Sequence, residues 1–288
     1  MRGFLVSAAL VAMVSGCVSN EKMIEAAAAG RTSDVLEALD NGADATFRSR
    51  APGAHGDTVL SAAARNGHLN TVEALFRKGV KADDQPEAII AAAGGGHASV
   101  VRSLLDHGAS SNAVLPTDTP GGELRTPLGM ASFHGKGKVV RLLLGAKADP
   151  KANSSVALRH AIRGGHEDLA ELLMSKGADP KATGPDRRTT LHLAAGLRQG
   201  ERRGMNRSAL LRKLHKAGVP VDAADAQGDT PLMLAVRSEA FRHVETLVEL
   251  GADPNKPIEG AGTPARWADK HSGQSPEMAK IARMLVQE

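Results

Sequence analysis

One short phrase recurs along this chain of 288 residues and constrains its fold more than any other feature. The phrase is Gly-Ala-Asp or a close variant, and each copy follows a leucine-rich segment. A repeat at this spacing is typical of stacked supersecondary units, so we expect a repeat protein and not ordinary globular domains. The seven copies lie 29 to 41 residues apart and begin at Gly42, Gly79, Gly108, Lys147, Gly177, Gly218 and Gly251.

A second phrase, Thr-Pro-Leu or a variant, begins most of the repeats. Threonine is a favourable helix N-cap, and proline suits the first helical position because the N–H there has no helical partner. Alanine runs such as Ala62–Ala64 let neighbouring helices approach closely, and Gly-His pairs such as Gly67-His68 mark the turn to a second helix. The phrase begins at Thr58, Thr126, Thr189, Thr230 and Thr263.

In this combination and spacing the two phrases resemble ankyrin repeats. The resemblance covers residues 23–288 and implies an all-α repeat solenoid of about eight ankyrin helix-turn-helix repeats with short β-hairpin fingers. The first and last repeats are predicted to act as caps. The predicted helix pairs begin near Met23, Asp57, Glu87, Thr126, Val156, Thr189, Thr230 and Thr263.

The start of the chain has the pattern of a targeting segment. An apolar run, Phe4–Val14, is too short for a transmembrane helix, which needs about 20 residues. It ends in Val14-Ser15-Gly16-Cys17, which resembles the lipobox of bacterial lipoproteins. The resemblance implies a signal peptide over residues 1–16, followed by a lipidated Cys17 and a short tether over residues 17–22. An ordinary signal peptide with a chance cysteine is the alternative.

Composition and motifs argue against catalysis. A single cysteine excludes an intramolecular disulfide and cysteine-rich metal sites. Neither His-Glu-x-x-His nor Gly-x-Ser-x-Gly nor a P-loop phrase occurs, and a hydrolase would need a buried, pKa-shifted group that no motif reveals. Aromatic residues make up 2 % of the chain, too few for a stacking surface for single-stranded nucleic acid. We therefore predict no enzyme activity, no cofactor, no metal site and no nucleic-acid partner.

The ankyrin resemblance implies a protein-binding face formed by the fingers and the first helices of the pairs. Several of the family's variable positions are basic here and none is acidic, which predicts a partner with an acidic surface. An ordinary solvated face is the alternative. The predicted residues are Arg65, Asn66, Phe133, His134, Arg163, Leu197, Arg237, Ser238, Lys270 and His271 on the helices, with Phe47, Arg48, Arg50, Leu115, Arg187 and Arg188 on the fingers.

Together these resemblances imply a monomeric, non-catalytic protein of the cell envelope, lipid-anchored in the outer membrane and facing the periplasm. Similar bacterial ankyrin lipoproteins include immunity proteins that inhibit secreted lipase toxins. Others accompany periplasmic catalase in oxidative-stress defence, and in that role His107, His134 and His271 would contact haem. Whether the chain inhibits or supports its partner, and whether it lies in the inner or outer membrane, stays open.

The lipobox interpretation can be tested with globomycin, which blocks cleavage of lipoprotein signal peptides. Treated cells should accumulate a precursor that still carries residues 1–16. Cys17→Ser, which has no thiol to receive the lipid, should accumulate an unlipidated precursor without the drug. Immunoblots of the chain, with untreated wild-type cells as the control, measure the two forms. Normal processing in the presence of globomycin would contradict the assignment of Cys17.

Overall fold

The computed structural model describes residues 20–50, 57–117, 122–196 and 207–286. The predicted signal peptide, Cys17 and Leu197 lie outside these ranges. Within them, no helix combines the length and apolar character needed to cross a membrane.

Helices in consecutive pairs make up the described residues, and the predicted all-α repeat architecture with eight pairs is confirmed. Each pair consists of a first helix, a tight turn and a second helix. The helices are α1 (20–28), α2 (Thr32–Asp40), α3 (Val59–Arg65), α4 (Leu69–Arg77), α5 (Pro86–Gly95), α6 (Ala98–Asp106), α7 (Pro127–Phe133), α8 (Gly137–Gly145), α9 (Ala152–Arg163), α10 (Glu167–Ser175), α11 (Thr190–Ala195), α12 (Ser208–Lys216), α13 (Pro231–Arg237), α14 (Phe241–Glu249), α15 (Pro264–His271) and α16 (Pro276–Val286).

The chain divides into two compact units of four helix pairs each. The first unit contains α1–α8 and is formed by Met1–Pro116 with Leu124–Asp149. The second contains α9–α16 and is formed by Thr117–Glu123 with Pro150–Glu288. Each unit has its own apolar core of aliphatic side chains and alanines, which explains how so few aromatic residues suffice.

Threonine caps the first helix wherever the Thr-Pro-Leu phrase or its variant occurs, as the sequence predicts. In α7, for example, the Thr126 hydroxyl accepts a hydrogen bond from the N–H of Gly129 at 2.9 Å. The capping threonines are Thr58, Thr126, Thr189, Thr230 and Thr263. These caps fix where each first helix begins and therefore which of its side chains face solvent.

Histidines in the turns of the second and third pairs link each of these pairs to the one before it. The Nε2 atoms of His68 and His97 lie 2.9 Å from the carbonyl oxygens of Ala28 and Arg65. The His97 ring occupies the space beside Gly67, whose φ is +77° and where a Cβ would lie 2.4 Å from Nδ1. These two histidines therefore have a structural role between neighbouring pairs.

The fingers between the pairs differ from the expected β-hairpins. In the described residues they form turns with isolated antiparallel bridges, Leu115 with Arg125 and Ile258 with Gly262, and no regular strand. Side chains hold neighbouring fingers together instead. The backbone N–H of Asp149 donates to Asn112 Oδ1 at 2.8 Å, and that of Asp253 donates to Asp222 Oδ1 at 3.1 Å. Because each finger is so short, these side-chain bonds replace a strand ladder.

Candidate protein-binding face

The first helix of each pair leaves a narrow set of side chains facing solvent, which we call the first-helix face. In α7 of the first unit, the buried side includes Leu128 and Ala131, while Met130 and Phe133 are half-buried and His134 is exposed. Arg65 and Asn66, at the corresponding end of α3, are exposed as well. The structure therefore places the four helix residues predicted in this unit on the first-helix face.

The guanidinium of Arg65 forms an ion pair with a carboxylate that lies beneath it. Its Nη2 and Nε atoms donate to Asp57 at 2.5 Å and 3.2 Å. The side chain of Arg65 is 43 % exposed and that of Asp57 only 11 %. The guanidinium is therefore held at the surface by an acidic group that a partner would not meet directly.

The same arrangement occurs in the second unit. Arg237 forms an ion pair with Asp229, and the two side chains are 37 % and 7 % exposed. In both pairs the aspartate immediately precedes the capping threonine and lies eight residues before the arginine. Our sequence reasoning missed these carboxylates, although the shared spacing was a signal that could have found them. Counting only the arginines and lysines on the first-helix face overstates its positive charge, because the buried carboxylates beneath Arg65 and Arg237 are left out.

Arg163 of the second unit belongs to a buried cluster around Glu123. Glu123 Oε1 lies 3.0 Å from Arg163 Nη2 and 3.3 Å from Arg159 Nη2, and Oε2 lies 2.8 Å from His160 Nε2. The side chain of Arg159 is 3 % exposed and that of Glu123 is 9 % exposed. Arg163 is therefore anchored from below in the same way as Arg65 and Arg237.

The cluster also explains how the fifth pair forms without a Thr-Pro-Leu phrase. At the start of α9, Asn153, Ser154 and Ser155 adopt left-handed conformations with φ between 51° and 54°. Arg159 Nη1 donates to the carbonyl oxygen of Ser154 and, at 3.2 Å, to that of Thr183. A buried guanidinium thus takes over the anchoring role that a capping threonine has in other pairs.

The remaining predicted residues of the second unit divide into structural and accessible ones. Arg188 pairs with the fully buried Asp225 at 3.0 Å, whereas the neighbouring Arg187 is exposed. The Ser238 hydroxyl donates to the carbonyl oxygen of Leu234 at 2.7 Å. Lys270 is exposed on α15. Arg187 and Lys270 are the members of this group that are most available to a partner.

The predicted residues on the fingers of the first unit differ in their exposure. Arg48 is exposed and pairs with Glu87 at 2.9 Å, and Arg50 is exposed. Phe47 is half-buried, and so is Leu115, whose backbone is paired with Arg125. The apolar side chain that reaches solvent on that finger is the adjacent Val114, which is 40 % exposed. Val114 therefore adds an apolar side chain to the predicted finger residues, and the contact of Leu115 with a partner stays a prediction.

The histidines considered for haem contacts are engaged with their own neighbours. His107 stacks on Phe76 with ring centroids 4.0 Å apart, and His271 stacks on Trp267 at 3.9 Å. His134 meets the edge of Phe133 at 5.0 Å. Across the described ranges, no group of three or more His, Cys, Asp or Glu side chains is placed to hold a metal ion.

His192, a buried histidine in the first turn of α11, has structural partners on both ring nitrogens. Burial lowers the pKa of His192, whose Nε2 lies 3.0 Å from the carbonyl oxygen of Asp229 and whose Nδ1 lies 2.8 Å from the Thr189 hydroxyl. This neutral imidazole joins the sixth and seventh pairs. Its two ring nitrogens are occupied, so nothing in this arrangement points to a catalytic base.

Stacked helix pairs with short fingers and a solvent-facing set of first-helix side chains define a repeat scaffold for protein interaction. A family model described as "Ankyrin repeats (3 copies)" matches residues 23–114, 73–154, 115–184 and 158–258. The chain therefore belongs to the ankyrin repeat family. Its role is protein–protein interaction, and nothing in the part of the chain that the structure describes points to enzymatic activity.

Individual proteins agree with this assignment. Ankyrin repeat and SAM domain-containing protein 6 of Danio rerio is 27 % identical over 232 residues, which are 70 % of this chain but only 30 % of that protein. Cyclin-dependent kinase 4 inhibitor B of Rattus norvegicus is 36 % identical over 118 residues, 40 % of this chain and 85 % of the inhibitor. The solved ankyrin repeat domain of human ASB11 has a TM-score of 0.59 at 22 % identity, covers 81 % of this chain and 98 % of its own, and supports the fold.

Glu123 provides a test of the buried cluster. Burial raises the pKa of Glu123, but the hydrogen bond with His160 and the charges of Arg163 and Arg159 outweigh burial and lower the pKa from its ordinary 4.5 to about 2. The ionised group therefore stabilises the fold fully above pH 4.5, and this contribution is lost as the pH falls through about 2. Glu123→Gln should lower the free energy of unfolding at pH 7 by about 3 kcal/mol.

The measurement is urea unfolding at a series of pH values, with Glu245→Gln as the matched control. Glu245 pairs with Arg242 at the surface, where the side chains are 37 % and 68 % exposed, so its loss should change stability by less than about 1 kcal/mol. If Glu123→Gln keeps the full acid dependence of the wild type, the cluster does not have the role assigned to it.

Proposed function

We propose that this protein is a non-catalytic inhibitor that binds one protein partner through the first-helix faces and is held at the cell envelope by a lipid on Cys17. More specifically, we propose that it is an immunity protein that faces the periplasm and blocks a secreted lipase. The observation that carries the binding proposal is the repeated placement of an exposed guanidinium over a buried carboxylate.

This placement suits recognition of an acidic surface. The pairing of Arg65 with Asp57 occupies Nε and Nη2, and a guanidinium has five N–H donors, so donors remain for a second carboxylate. An arginine that is already fixed loses less side-chain entropy when a partner binds. Arg237 over Asp229 offers the same advantage in the second unit. Charge complementarity of this kind favours specificity and fast association.

Two further observations support the finer parts of the proposal. Cyclin-dependent kinase 4 inhibitor B, 85 % of which aligns with this chain, is by its name an inhibitor of an enzyme. Ankyrin arrays are thus compatible with inhibition by binding. The lipobox-like Val14-Ser15-Gly16-Cys17 supports attachment to a membrane, where an enzyme that attacks lipids would act.

The test is affinity capture of the full chain from envelope extracts, followed by mass spectrometry. A variant with Arg65, Phe133 and Arg237 changed to alanine should recover the main partner at least tenfold less, because two surface guanidiniums and a half-buried ring are lost. The matched control changes Phe76, Arg102 and Arg212, which lie on second helices, to alanine and should leave capture unchanged. Equal capture by the first variant, or no enriched partner, would contradict the proposal.

Inhibition needs a separate measurement on the purified partner. Its activity should fall in proportion to added chain and reach a minimum near one equivalent. If the partner binds but keeps its activity, the chain is a binding protein without the inhibitory role.

A further inference from the structure

Gly94 is a glycine that the fold of the first unit does not require. It lies in the last turn of α5, and the atoms nearest to a Cβ there would be those of Met130 and His134, at ordinary contact distances of 3.6–3.7 Å. By contrast, a Cβ on Gly95 would lie 2.9 Å from the carbonyl oxygen of Arg65, and Gly96 has a φ of +86°. Glycine is less favourable than alanine inside a helix. Neither the backbone conformation nor the packing of the first unit therefore accounts for a glycine at position 94.

The position of Gly94 makes this absence relevant to binding. Arg65, Gly94 and Phe133 each lie two residues before a turn glycine in three successive helix pairs, so they occupy the same place on the first-helix face. A guanidinium is present in the first of these pairs and a phenyl ring in the third. Gly94 adds no side chain of its own between them, and the side chains of Met130 and His134 lie against it. We call this part of the first-helix face the α5 cleft, and its residues are Arg65, Gly94, Met130, Phe133 and His134.

The borders of the cleft have two different chemical characters. Met130 and Phe133 of α7 form an apolar border and are half-buried. Arg65 forms a cationic border, with its side chain 43 % exposed over the 11 % exposed Asp57. Beyond the cleft, at the other end of α5, the finger residue Arg48 pairs with Glu87 of the first turn, and the two side chains are 54 % and 12 % exposed. In both ion pairs the guanidinium faces solvent and the carboxylate lies below it.

We propose that the α5 cleft receives one large apolar side chain of a protein partner, and that carboxylates on either side of it in the partner's sequence pair with Arg65 and Arg48. The proposal rests on the protein-binding function proposed above and specifies the partner's chemistry. Apolar contact with Met130 and Phe133 accounts for the apolar side chain, and charge complementarity with the two exposed guanidiniums accounts for the acidic flanks.

The probe is a random peptide library displayed on phage and selected on the full chain, followed by binding measurements with the selected peptides made synthetically. The test variant is Gly94→Leu, which fills the cleft. The control is Gly145→Leu on α8, because a Cβ on Gly145 meets nothing within 4 Å. Both changes replace a glycine near the C-terminal end of a helix, so neither should lower the melting temperature.

We expect selected peptides to share a Leu, Ile, Phe or Met flanked by Asp or Glu. Gly94→Leu should weaken their binding at least tenfold, Gly145→Leu should leave it unchanged, and replacing the shared apolar residue by alanine should weaken it to a similar extent. The proposal is overturned if the peptides lack this pattern or bind Gly94→Leu as tightly as the wild type. It is also overturned if the chain dimerises and Gly94→Leu abolishes the dimer, since the occupant would then be a second copy.

The variant of Arg65, Phe133 and Arg237 separates this inference from the proposed function. If that variant no longer binds the peptides while Gly94→Leu still binds them, the first-helix face binds proteins but the apolar side chain does not bind in the α5 cleft. If neither variant affects them, the peptides bind elsewhere, and both the cleft and the first-helix face are excluded as their site.

Discussion

Each helix pair of this protein leaves an apolar face that it buries against the next pair in its unit. Leu75 of α4 and Leu104 of α6 are fully buried in the first unit, as are Leu173 of α10 and Leu210 of α12 in the second. A single pair has no other way to remove these side chains from water. Stacking therefore fixes the buried side of every helix and leaves the first-helix face under no packing constraint.

That freedom is what gives the scaffold its binding surface. Because the core is satisfied elsewhere, positions such as Arg65 and Phe133 can differ from pair to pair without loss of the fold. The structure adds a second layer to this surface, since Asp57, Glu123 and Asp229 lie below the exposed arginines and fix them. A prepositioned guanidinium is a better anchor for a carboxylate than a mobile one. The partner would thus meet a surface whose charged groups are already in place.

Sequence reasoning found the parts of the molecule that depend on local chemistry. The capping role of Thr126 follows from the Pro-Leu phrase that comes after it, and the structure confirms it. Glu123 was missed because it lies 40 residues from Arg163, and only folding brings the two together. Val114 is more exposed than Leu115 because the backbone of Leu115 pairs with that of Arg125 in the same finger. The amino-acid types alone do not indicate this pairing.

The most direct test of the central claim is a structure of the chain bound to its captured partner. We expect carboxylates of the partner at hydrogen-bond distance, about 2.7–3.2 Å, from the guanidiniums of Arg65 or Arg237. In that complex Arg65 and Arg237 should still be paired with Asp57 and Asp229. A partner that contacts only the second helices, and leaves both guanidiniums in solvent, would contradict the central claim.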